Sequence, residues 1–215
     1  MNKARLETLT DGVFAIVMTI LVFELKVPDI EHPTSFLVWK ALYHSFPVFL
    51  AFLISFAVLT SFWMSHQFIV TGLARNANRN LTYLNIIFLL FLSVLPFSAH
   101  LMGRYPQTQP GVLFFGVNII GLALSLRWTR EYIIKSRHIE NDFNNEHGQN
   151  LRYGNIRIWM PIVFAMAGIL VSFVSPSTTL VLYAIPLVIN LIPGLITLTD
   201  RFIIQYLFPP KRTNL

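Results

Sequence analysis

The stretch RLETLTDGVFAIVMTILVFELK, residues 5–26, sets an arginine and an aspartate at the mouth of a long apolar run. A helix needs about 20 predominantly apolar residues to cross the hydrocarbon of a bilayer, and this run meets that need. Charge is costly to bury there, so Arg5 and Asp11 are singled out as residues with a job. At about 100° per residue, Gly12, Ile16, Thr19, Ile20, Phe23 and Val27 fall on one stripe of the helix, with Asp11 more than about 90° from its centre. The acid and the Ile/Phe stripe therefore serve different surfaces. One of these surfaces meets a neighbouring helix, and the other faces something apolar or a dewetted path.

The rest of the chain has the same character. Of 215 residues, 54% are hydrophobic and 12% are charged, where a soluble domain carries about 25% charged residues. This is an integral membrane protein by composition. No cysteine is present, which excludes disulfides and thiolate metal sites. Glu7 and Asp11 interrupt what would be the basic region of a signal peptide, and no A-x-A-like site follows, so the first segment is expected to stay as a transmembrane helix.

Six apolar stretches emerge, roughly 6–25, 41–65, 81–101, 111–128, 157–175 and 179–206. The second belongs to a longer apolar region, 36–70, that must tilt, kink at Pro47 or run out into water. The last contains Pro186 and Pro193 and is expected to be kinked or broken. Alternate connections carry very different basic charge. Thirteen Lys and Arg residues, among them Lys3, Arg5, Arg75, Arg79, Arg127 and Arg130, fall on one side, and only Lys26, Lys40 and Arg104 on the other. The positive-inside rule puts both termini in the cytoplasm and asks for an even number of spans. It also accounts for the net charge of +6 without a nucleic-acid partner. Trp39, Trp63, Trp128 and Trp159 lie near span ends, where amphipathic rings favour the membrane interface. Segment 135–155 reads as a cytoplasmic loop with helical extensions. The expected fold is all-α, a single six-helix membrane domain.

This topology gives Asp11 neighbours. The second span returns to the cytoplasm, bringing Trp63 and His66, spaced i, i+3, to a similar depth. The next span begins with Asn78 and Asn85. A carboxylate beside Arg5, an imidazole and an indole N–H would be satisfied rather than orphaned. Such a network locks a bundle, or, in a sharper reading, lets His66 sense or relay protons. Metal binding finds no second His or carboxylate at ligand spacing.

The R-L-E-T-L-T-D of residues 5–11 resembles the R-x-x-x-F-S-D signature of the lysosomal potassium channel family, transmembrane protein 175, and its bacterial relatives. The W-x-x-H at 63–66 and PFSAHLMGRYP at 96–106 look like bacterial members too, while Leu9 and Thr10 stand in for Phe and Ser. The resemblance implies a bacterial inner-membrane, multi-pass protein that assembles as a homotetramer, with the first helix lining a central pore and no re-entrant pore loop. It implies an apolar constriction at Ile16, Ile20 and Phe23, a selectivity hydroxyl at Thr19, and a structural network of Arg5, Asp11, Trp63 and His66. Glu24, flanking the stripe at the far end, is either part of an acidic outer mouth or a solvated partner of Lys26.

The function expected is passive, potassium-preferring cation flux through a hydrophobic gate. Potassium is the only metal expected, in the pore, and neither a resident cofactor nor a small-molecule substrate is called for. The alternative is a secondary transporter or proton-coupled exchanger, motivated by the broken last helix and the Asp11/His66 pair. No enzyme is expected: Ser65 and His66 are adjacent and point apart, and no G-x-S-x-G or H-E-x-x-H occurs.

Overall fold

The computed structural model describes residues 2–136 and 148–191, the side chains of 148–158 and 186–191 excepted. The helices are α1 (Lys3–Ile20), α2 (Ser35–His44), α3 (Phe46–His66), α4 (Arg79–Arg104), α5 (Gln109–Lys135), α6 (Gly148–Ser172) and α7 (Pro176–Leu191). A tight 3₁₀ turn, Leu21–Glu24, prolongs α1, and a π turn, Gln67–Thr71, prolongs α3. Four of these rods are long and apolar enough to cross a membrane: Lys3–Glu24, Phe46–Thr71, Arg79–Arg104 and Gln109–Lys135. Two shorter apolar helices follow, Trp159–Ser172 and Pro176–Ile185. Residues 137–147 of the polar loop and 192–206 of the last stretch, with Pro193, lie outside the described residues. Helix α7 runs through position 186.

Helix starts are set by side-chain caps. Asn2, Thr34, Asn78 and Thr108 each accept a hydrogen bond from a backbone N–H of the first turn, which satisfies donors that an α-helix leaves open. The long apolar region 36–70 is resolved as a break. Ser45 ends α2, and Pro47 stands in the first turn of α3, where a missing N–H costs nothing. Helix α2 thus buries none of its residues and extends beside the bundle. The α4–α5 reversal is so tight that a Cβ on Gly111 would lie 2.2 Å from the carbonyl oxygen of Tyr105.

Helix α4 sits at the centre of the bundle, against α1, α3 and α5. In lipid the tails are as apolar as leucine, so packing contacts and internal hydrogen bonds hold helices together more than water exclusion does. Small residues allow the close approach: Tyr183 of α7 fills a slot over Gly116 of α5 and Gly168 of α6, and its hydroxyl donates to the Val112 carbonyl at 3.1 Å. Pro96 lies inside α4, lacking an N–H and crowding the preceding turn. Asn118 of α5 reaches this turn. In the amide orientation that satisfies both ends, it donates to the Phe91 carbonyl (3.0 Å) and accepts from the Leu95 N–H (3.2 Å). The exposed Trp128 lies two turns before the end of α5 and Trp159 midway along α6, with the Arg127 guanidinium 4.4 Å from the Trp159 ring centroid.

Candidate functional site

Helix α1 has two faces. Leu6, Thr10, Phe14, Val17 and Leu21 are buried, at the three-and-four spacing of a packing seam. Phe14 meets Phe88 of α4 and the His66 ring of α3. On the other side Ile16 is 58% exposed, Ile20 40%, Phe23 74% and Val27 89%. Gly12 and Thr19 are exposed between them. The Thr19 hydroxyl hydrogen goes to its own helix, at 2.9 Å from the Ala15 carbonyl and 2.8 Å from that of Ile16. A single chain thus leaves the whole Ile/Thr/Phe stripe uncovered while the helix is firmly seated by its opposite side.

Asp11 is held by α3. Trp63 Nε1 donates to Asp11 Oδ1 at 2.9 Å, and Gln67 Nε2 donates to the same oxygen at 2.6 Å. The pattern continues toward the chain start: Thr71 Oγ1 donates to Glu7 Oε1 at 2.8 Å, and Lys3 Nζ reaches the Thr71 carbonyl at 3.0 Å and Glu7 at 3.6 Å. Lys3, Glu7 and Asp11 are spaced by four, as are Trp63, Gln67 and Thr71, so two antiparallel helices interlock rung by rung. The π turn lies at this seam; such turns are frequent at functional sites.

His66 belongs to a second, sealed network. It is 2% exposed, and its Nε2 lies 2.8 Å from Asn85 Oδ1. Asn85 Nδ2 donates to Thr10 Oγ1 at 2.9 Å, and Thr10 donates to the Leu6 carbonyl. Because Asn85 commits its amide nitrogen to Thr10, its oxygen faces the ring, which assigns the imidazole proton to Nε2. The ring stacks on Phe88 with centroids 5.2 Å apart.

The four-residue network expected from sequence is therefore divided. Asp11 with Trp63 forms one part and His66 with Asn85 another, while Arg5 is exposed and makes no side-chain bond among the described residues. Arg5 stands three residues before Thr8 on an outward face, away from the α3 side that Asp11 meets. Asn78 sits elsewhere, capping α4 and donating to Tyr132 Oη at 2.6 Å. Glu24 pairs with His100 Nδ1 of α4 rather than with Lys26. Lys3, Glu7, Gln67 and Thr71 were not foreseen; their matching four-residue spacing is the signal, and it becomes visible only once α1 and α3 are known to run side by side.

Residues 5–96 match the family model of the endosomal/lysosomal potassium channel TMEM175. A potassium channel of Chryseobacterium sp. (strain P1-3) is 28% identical over 193 residues, 90% of this chain and 94% of that one. A potassium channel of Streptomyces collinus is 26% identical over 144 residues, covering 65% and 68% of the two chains. The crystal structure of a lysosomal potassium-selective channel TMEM175 homolog from Chamaesiphon minutus shares the fold, with a TM-score of 0.74 over 92% of this chain and 97% of that one at 23% identity. These relatives are ion channels rather than enzymes. The chain is thus similar in sequence, over residues 5–96, to the TMEM175 potassium-channel family, and shares its fold with a solved homolog over nearly its whole length.

Proposed function

We propose that this protein is a passive, potassium-preferring cation channel of a bacterial inner membrane, in which α1 lines a central pore between identical subunits. The observation that carries the reading is the uncovered stripe of Ile16, Ile20 and Phe23 on a helix whose opposite face is fully seated. Four subunits arranged about an axis would bring four such stripes together. The chain would cross the bilayer six times with both termini in the cytoplasm, as its basic residues require. Rings of apolar side chains gate by dewetting, and Thr19 oxygens one turn away replace part of a cation's hydration. No re-entrant loop is needed for this, and selectivity without a carbonyl cage is modest. Asp11, Trp63 and His66 act as scaffold, Arg5 standing apart from them, and Glu24, tied to His100, marks the outer end.

A proton-coupled exchanger has less support, since His66 is sealed from solvent and committed to Asn85. The test is potassium release from liposomes containing only this protein. Flux above empty vesicles, insensitive to an imposed pH gradient, is the expected result. No flux from correctly assembled protein rejects the channel reading, and steep dependence on the gradient selects the exchanger.

A further inference from the structure

Where α1 ends, a cavity of about 680 Å³ opens between its last turn, the α2–α3 corner and the end of α4. Leu42, Phe46 and Phe49 supply apolar walls, and the charged groups facing the space are Glu24, Lys26, His100 and Arg104. Glu24 is already engaged by His100. Lys26 and Arg104 have no side-chain partner among the described residues. The seat of Arg104 is fixed by its neighbour: Gly103 lies so close to α3 that a Cβ there would be 3.0 Å from Ala51 and 3.1 Å from the Val48 backbone. Two cations over a greasy concavity at the edge of the bilayer complement an amphiphile with an anionic head.

We propose that this cavity binds the phosphate headgroup of an anionic phospholipid of the outer leaflet, which rests on the orientation proposed above. Arg104 offers the planar fork that matches phosphate oxygens in pairs, and Lys26 a mobile point charge. Phe46, Phe49 and Leu42 receive the glycerol and the first acyl carbons. Those exposed apolar walls are what assign the site to a lipid, since a free phosphate ion would use the cations alone. Lys26 follows the stripe residue Phe23 by three positions, so the bound head fastens the outer end of the pore helix.

The experiment is a thermal unfolding titration of the full-length protein in detergent. Short-chain phosphatidylglycerol, phosphatidylcholine of the same chain length and inorganic phosphate are added in turn, because a ligand of the native state raises the midpoint by mass action. Phosphatidylglycerol is expected to raise the midpoint by several degrees and the other two to leave it in place. The double variant Lys26→Ala/Arg104→Ala is expected to lose that rise. Should the double variant unfold early, Lys26→Gln alone, at an exposed position, is expected to reduce the shift. An equal rise with inorganic phosphate overturns the lipid assignment, and a full rise in both variants overturns the site. The readout needs no ion flux, so failure here and failure of the channel reading are separately visible.

Discussion

At the scale of single residues, the informative contrast is between Asp11 and His66, both at the α1–α3 seam yet in different surroundings. Asp11 stands at the surface of the chain with two donors on one oxygen, and water or a neighbouring subunit has access to the other. His66 has no such access: Asn85 is its partner, and aromatic rings cover the rest. Replacing Asn85 by Leu removes the acceptor and leaves a buried ring N–H unpaired, which costs about 1–3 kcal/mol. The expected outcome is an unfolding midpoint lowered accordingly in detergent titration, while Trp63→Phe, which removes one of two donors at an exposed acid, has the smaller effect. Equal losses would show that the two networks act as one. The sequence made Asp11 and Trp63 legible as partners through depth alone. It did not make Asn85 legible as the partner of His66 in preference to Asp11, because the choice depends on helix rotation, which spacing within one helix does not give.

At the scale of elements, apolar spans follow from composition, whereas breaks follow from a few local signals. The separate helix α2 was hidden because SFLVWKALYH, though less apolar than the span after it, runs on into it as one largely apolar stretch; only Pro47 hinted at the division. The ends of α5 were hidden for the opposite reason, since Arg127, Arg130 and Lys135 look like a loop yet continue the helix. Within α4, Pro96 and Asn118 form a joint device. The amide of Asn118 donates to the Phe91 carbonyl and accepts from the Leu95 N–H and Ser98 Oγ, in the turns on either side of the proline. Groups sharing one network are not energetically independent. Asn118→Leu leaves buried backbone groups poorly paired, and Pro96→Leu alone leaves the amide of Asn118 with a closed ladder to face. The double variant is expected to be more stable than the sum of the single losses allows, by about 0.5–3 kcal/mol. Additive losses would mean that Asn118 does not serve the proline turn.

At the scale of the whole molecule, the division of α1 into a seated and an uncovered face carries the proposed function. The stripe itself was legible at 100° per residue, and Ile16, Ile20, Phe23 and Val27 are exposed in the single chain. Which of packing, lipid or a water path covers it depends on subunit arrangement, which no periodicity encodes. The proposed assembly makes a sharp demand on Ile20: there Ile20→Asn would set polar amides around the narrow point and is expected to raise sodium permeation several-fold, read as a shift in bi-ionic reversal potential. Unchanged selectivity and conductance would take Ile20 away from the conduit. The same helix is pinned at both extremities, by the Lys3–Glu7–Asp11 rungs to α3 at one end and by Glu24 to His100 at the other. A rod fastened at two points cannot move like a piston without breaking a fastening. In the proposed channel, any change in bore must then come from bowing or torsion between these ends, where Phe14 and Val17 are held by packing, so Ile16 and Ile20 would swing aside about fixed ends rather than travel along the axis.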